Sequence, residues 1–154
     1  MTKKAEIKIN QAMAARILAV QACYQNSQNK KPIPQLIEEY IDNRVSLDLG
    51  DGENLVPKPD GKLFKKILGD LEGNSRAVID LVNTHLKKPS EKDDSEPLLY
   101  AIMICGASEL LNNQSVDQAL VINDYVNVTY CFYEKPQTSL VNAVLDKISK
   151  TIKT

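Results

Sequence analysis

The sequence predicts an all-α fold of about seven helices, and three observations carry that prediction. Apolar residues recur at steps of three and four along most of the 154 positions, while no stretch sustains the two-residue alternation of a half-buried strand. Asn, Asp and Ser stand where those stripes begin, and prolines stand where they stop or in a first helical turn. With 43% hydrophobic and 25% charged residues, the chain has globular composition and enough length to bury a core without staples.

The elements follow in order. Asn10 caps a first helix whose stripe reads Met13, Ile17, Val20 and Tyr24, ended by polar residues 26–28 and by Pro32. Pro34 suits the first turn of a second helix, with Leu36, Ile37, Tyr40 and Ile41 on one face. Residues 44–59, with Gly50, Gly52, Pro57 and Pro59, read as a loop. Asp60 opens a third helix with Leu63, Phe64, Ile67, Leu68 and Leu71 inward. Val78, Ile79, Val82 and Leu86 continue that period past Gly73 and Asn74, so the pair either breaks the helix or lies inside a longer one. The polar stretch 87–96 reads as a solvated linker bracketed by Pro89 and Pro97. Beyond it, Leu98, Leu99, Ile102, Met103, Gly106 and Leu110 predict a helix buried on more than one side. Ser115 with Gln118 has the spacing of a capping box opening the next helix. Pro136 sits near the start of the last one, whose inward stripe is Leu140, Val141, Val144, Leu145, Ile148 and Ile152. The whole reads as one domain over 1–154, with an N-terminal lobe about 10–88, a linker about 88–97 and a C-terminal lobe about 97–152.

Charge is segregated although the net charge is only −1. Residues 1–31 hold six basic side chains (Lys3, Lys4, Lys8, Arg16, Lys30 and Lys31) against the one acid Glu6, whereas residues 32–97 hold nine basic against fourteen acidic. The basic N-terminus is a candidate nucleic-acid contact. The three cysteines, Cys23, Cys105 and Cys131, are far apart and odd in number, which is neither a disulfide framework nor a metal pair, and each reads as a buried small hydrophobe. The first twenty residues hold no continuous apolar stretch of a secretory signal, and the longest apolar run, about 98–107, is far short of a membrane span. A soluble cytoplasmic protein with no membrane contact is expected.

Catalytic chemistry does not emerge. The single histidine, His85, stands near a helix end, where it reads as a helix C-terminal side chain rather than a base. Glu38 and Glu39 are neighbours on a helix and do not face each other, and Asp93 and Asp94 lie in the linker. No glycine-rich phosphate loop is present. The expectation is a binding protein, not an enzyme, with no catalytic residue, no metal and no cofactor.

Several blocks of residues resemble a known family. Residues 15–25, ARILAVQACYQ, resemble the ARxxAVQxLYQ opening of the NusB transcription antitermination factors. Gly106 to Leu111, GASELL, is similar to the family's GAYELL; Val121 to Asp124, VIND, to its VINE; and Leu140 to Lys147, LVNAVLDK, to its FVNGVLDK. The resemblance implies two roughly perpendicular helical bundles and a non-enzymatic role. It implies pairing with NusE, a small-subunit ribosomal protein, and binding by the pair of boxA-type single-stranded RNA in nascent ribosomal RNA transcripts, within the antitermination complex of RNA polymerase. Some members self-associate, so a second copy of the chain is a further expected partner.

Carried over residue by residue, the resemblance puts Tyr24 and Leu99 at the protein partner, and Arg16 with the upstream Lys3, Lys4 and Lys8 at the RNA. Asn123 and Asn142 are expected to satisfy hydrogen bonds within the bundle rather than to touch RNA. The chain departs from the pattern where the family packs arginines, since Ala12, Met13 and Ala14 stand there, and where the tyrosine of GAYELL is Ser108. Pro136 and Ser139 stand where members often have charged residues near RNA. Lysines lack the fork and stacking plane of guanidinium, so a second reading is a diverged NusB-fold protein-interaction factor with weak or no RNA binding. A third reading, an accessory domain of an RNA methyltransferase, needs a catalytic domain after Thr154 and is the weakest expectation of the three.

Overall fold

The computed structural model describes residues 9–43, 58–86 and 97–153, and seven α-helices account for nearly all of them. They are α1 (Gln11–Asn29), α2 (Ile33–Asn43), α3 (Gly61–Gly73), α4 (Ser75–His85), α5 (Pro97–Asn112), α6 (Gln118–Tyr130) and α7 (Lys135–Lys153). No strand occurs among the described residues. The expected loop 44–59, except its last residues, and the expected linker 87–96 lie outside them.

Helix ends follow local chemistry. Asn10 accepts from the Met13 amide at 2.8 Å, and Asp60 accepts from the amides of Lys62 and Leu63. Each such cap stabilises its helix by about 1 kcal/mol. At the far end of α1, Lys30 takes φ 59°, a left-handed cap that turns the chain toward Pro32 and Pro34. The choice left open at residues 73–74 resolves as a break: Gly73 ends α3, and Asn74 at φ −139° starts the separate α4. The next junction corrects an expectation. Ser115 does not cap α6; Asp117 does, accepting from the Ala119 amide at 3.0 Å, while Gln118 turns inward to donate to the Leu110 carbonyl. Asp117 directly precedes the first helical residue and reaches the free amides, whereas Ser115 lies two residues further back.

Two helices are central. α1 packs against α2, α3, α5 and α6, and α5 packs against α1, α3, α4, α6 and α7. A helix surrounded in this way is buried all round rather than along a stripe, and Ala101 through Leu110 are buried without interruption. Tyr24 is the exception on the expected α1 stripe: it is 37% exposed because the helix end carrying it protrudes beyond its neighbours' cover. One contiguous buried cluster runs from Met13 to Ile148 and draws on all seven helices. Tyr40 of α2 stacks on Phe64 of α3 with ring centroids 5.7 Å apart, joining the two helices that flank α1.

The approach of α5 to α6 and α7 depends on one missing side chain. A Cβ placed on Gly106 would lie 2.8 Å from a methyl of Leu145 and 3.3 Å from the Tyr125 ring. Glycine at 106 therefore lets the helices close to contact at that level.

Candidate functional site

The only buried charged cluster among the described residues lies where α1, α5 and α6 meet. Arg16, 4% exposed, donates from Nε to Glu109 Oε1 at 2.7 Å and from Nη2 to Glu109 Oε2 at 2.8 Å. Its Nη1 donates to Asp124 Oδ2 at 2.7 Å. The Tyr125 hydroxyl donates to Glu109 Oε1 at 2.8 Å, and the guanidinium sits 6.0 Å from the Tyr125 ring centroid. Glu109 thus accepts three hydrogen bonds in the interior, the arrangement that makes a buried charge tolerable.

Electrostatics follow from burial and pairing. Burial opposes the Arg16 charge, but the bonds to Glu109 and the attraction of Glu109, Tyr125 and Asp124 outweigh it and hold the guanidinium above its ordinary range. Burial also raises the Asp124 carboxyl above its ordinary value; Arg16 offsets part of that, and Glu109 adds to it. Tyr125 is pushed well up by burial and by the Glu109 charge, so its hydroxyl stays a donor.

The residues expected at the two partners fall in different places. Arg16, expected at the RNA, is interior, with its fork closed on Glu109 and its remaining face on Asp124. Leu99 was expected to meet a protein partner; it is 5% exposed and part of the core, because α5 is covered on nearly every side. Tyr24 remains at the surface. Lys3, Lys4 and Lys8 lie outside the described residues. Glu109, Asp124 and Tyr125 were not singled out, although the sequence held a signal: Arg16, Glu109 and Asp124 are each the single charged residue of their helix.

The remaining candidates are structural or surface groups. His85, the last residue of α4, bonds through Nδ1 to the Leu81 carbonyl at 2.9 Å and through Nε2 to Thr151 Oγ1 of α7 at 3.2 Å, consistent with its reading as a helix-end side chain. Cys105 is held well above the usual thiol range by its hydrogen bond with Cys23 and by burial, which keeps it a poor nucleophile. Cys131 departs from expectation, being half-buried just past the end of α6. Asn123 and Asn142 also depart from it. Instead of serving bundle hydrogen bonds they stand exposed on the walls of an open groove of about 420 Å³ between α6 and α7. No helix is long and apolar enough to cross a membrane, and no group of three metal-ligating side chains occurs, both statements holding for the described residues.

The fold is an all-α one whose interior charges join three helices. The NusB family model matches residues 13–150, and the chain belongs to that family. Among its relatives is the transcription antitermination protein NusB of Sinorhizobium fredii, 32% identical over 144 residues, covering 94% of this chain and 89% of the relative. The protein of the same name from Rhodopseudomonas palustris strain TIE-1 is 31% identical over 150 residues, covering 97% and 85%. That of Agrobacterium fabrum is 30% identical over 144 residues, covering 94% and 86%. Each of these relatives is named as a transcription antitermination protein.

Proposed function

We propose that this protein acts in the cytoplasm as a transcription antitermination factor, pairing with NusE and binding boxA-type RNA in nascent ribosomal RNA transcripts as part of the RNA polymerase antitermination complex. The observation that carries the reading is the similarity to antitermination proteins across 94% of the chain. Tyr24 supports the protein contact, since an exposed tyrosine offers a large rigid surface with a polar tip. Lys3, Lys4 and Lys8 supply positive charge for phosphates just ahead of α1. The heterodimer would bring two weak basic surfaces onto one RNA, raising affinity through effective concentration.

Fluorescence anisotropy of a labelled boxA RNA, with this protein alone and with NusE, at two salt concentrations, tests the proposal. Binding that is salt-sensitive, strengthens with NusE and exceeds that of a scrambled RNA is the expected result. No RNA binding in the presence of bound NusE would overturn it.

A second reading, a NusB-fold protein-interaction factor with weak or no RNA binding, has one specific observation in its favour. Arg16 is buried, and Met13 and Ala14 beside it are core, so the described part of α1 offers RNA no arginine. Self-association into a homodimer is a further proposal, read from sedimentation of the free protein.

A further inference from the structure

The charge that α1 lacks is present on its neighbour. The solvent face of α3 carries Lys62 and Lys65, with Lys58 just ahead of the helix, and all three are exposed. Lys62 and Lys65, three residues apart, share one side of the helix, and Lys58 precedes it by three residues. The acids nearest in sequence are engaged: Asp60 caps the helix through its Oδ1, and Asp70 pairs with Lys66 at 3.0 Å. Lys58, Lys62 and Lys65 pair with no acid among the described residues. One turn beyond Lys65 the same face holds Gly69, where an added Cβ would meet nothing, and the exposed Glu72 follows three residues on.

The start of this face adjoins the start of α1. The Asp60 amide donates to the Gln11 carbonyl at 3.1 Å, fastening the start of α3 to the start of α1. Lys8 lies three residues before Gln11, with Lys3 and Lys4 further upstream.

We propose that Lys58, Lys62 and Lys65 form a phosphate-binding surface that carries the backbone of a single-stranded RNA along the start of α3. The proposal rests on the RNA-binding reading above and adds the residues that replace the missing α1 arginines. Lysine ammonium groups contact phosphates as point charges, so this face contributes affinity and salt dependence without reading sequence.

The test is the double variant Lys62→Gln/Lys65→Gln in the full chain, with NusE present, titrated against boxA RNA and a scrambled RNA across a salt series. Both side chains are exposed, so the melting temperature should not move. The expected result is affinity reduced several-fold at low salt on both RNAs alike, and a log–log salt slope shallower by about 1.4, two contacts at about 0.7 each. Lys150→Gln on α7 is the control and should leave the slope unchanged. A slope equal to that of the unaltered protein would overturn the α3 surface while leaving RNA binding in place. Weakened NusE binding at an unchanged RNA slope would assign the face to the protein partner and overturn it too. If the unaltered chain with NusE binds no RNA, the underlying reading fails and this proposal with it.

Discussion

Arg16 of α1 and Glu109 of α5, 93 positions apart in sequence, are joined by two parallel hydrogen bonds of 2.7 and 2.8 Å in the interior. The bond ties the first helix of the N-terminal half to the central helix of the C-terminal half. A guanidinium turned toward RNA would have to abandon the buried Glu109 carboxylate and the half-buried Asp124.

Breaking that pair should be costly. Glu109→Ala leaves Arg16 buried with only Asp124 and strips the Tyr125 hydroxyl of its acceptor. A loss of about 3–5 kcal/mol in unfolding free energy is expected, read from urea denaturation. Replacing Arg16 and Glu109 together by well-packed apolar residues should recover most of it. If the double replacement is as damaging as the single one, the pair itself, not the orphaned charge, supports the fold.

Asp124 gives a pH signature. Its carboxyl is held above the ordinary value of 3.8, burial being the main cause, even though Arg16 donates to it. Between that value and the raised one, the folded state binds more protons than the unfolded state, so stability falls as pH rises through the window. In Asp124→Asn this loss is absent. The stability advantage of the unaltered protein over the variant should be largest at the acid end and shrink as pH rises. An advantage that grows with pH would show that Arg16 outweighs burial at this carboxylate.

Gly106→Ala tests the close approach of α5 to α7. The new methyl meets Leu145, which is fully buried and has little room to turn. Overpacking costs about 1–3 kcal/mol, against which alanine's better helix propensity returns about 1 kcal/mol. A net loss of about 1 kcal/mol is expected in thermal denaturation. Leu145→Val in the same chain should give less than the sum of the two single losses, because the methyls no longer compete for one space.

The elements were legible in the sequence because period and caps are local. Asn10 and Asp60 sit next to the amides they cap, and the stripes of α3 and α7 point one way. Failures occurred where the answer was tertiary. Ser115 and Asp117 both had capping chemistry, and only the path of the chain from α5 decided between them. Tyr24 and Leu99 were assigned by periodicity and by family likeness, yet exposure depends on which neighbours cover a helix: α1 runs clear of cover at Tyr24, and α5 is covered at Leu99. The charged cluster was readable in principle, since one ion in each of three otherwise uncharged helices is the pattern of buried partners. Pairing them needed the fold.

Tyr24 and Leu99 should therefore separate cleanly by substitution. Tyr24→Ala removes an exposed ring; it should leave stability within about 0.5 kcal/mol and weaken NusE binding by about 2 kcal/mol in calorimetric titration. Leu99→Ala hollows the core, with a stability loss of about 2–5 kcal/mol, and should change NusE affinity only as far as it unfolds the protein. Unchanged affinity in Tyr24→Ala would remove this tyrosine from the partner surface.

Ala12 and Ala14 should also differ as places for an added arginine. Ala12 is half-buried in the first turn of α1, where a long side chain can lay its stem on the surface and keep its charge in water. Ala12→Arg should cost roughly 0.3–1 kcal/mol through the helix dipole. It should steepen the salt slope of RNA binding by about 0.7, one added phosphate contact. Ala14 is 0% exposed, so an arginine there is forced into the core without a carboxylate to meet it. Ala14→Arg is expected to destabilise by about 3 kcal/mol or more, the cost of an uncompensated buried charge. Thermal melts and salt-series anisotropy on the two variants check both halves. A steeper slope from Ala14→Arg without loss of stability would mean that the start of α1 opens when RNA binds, and Ala12→Arg with an unaltered slope would place the RNA path away from this helix.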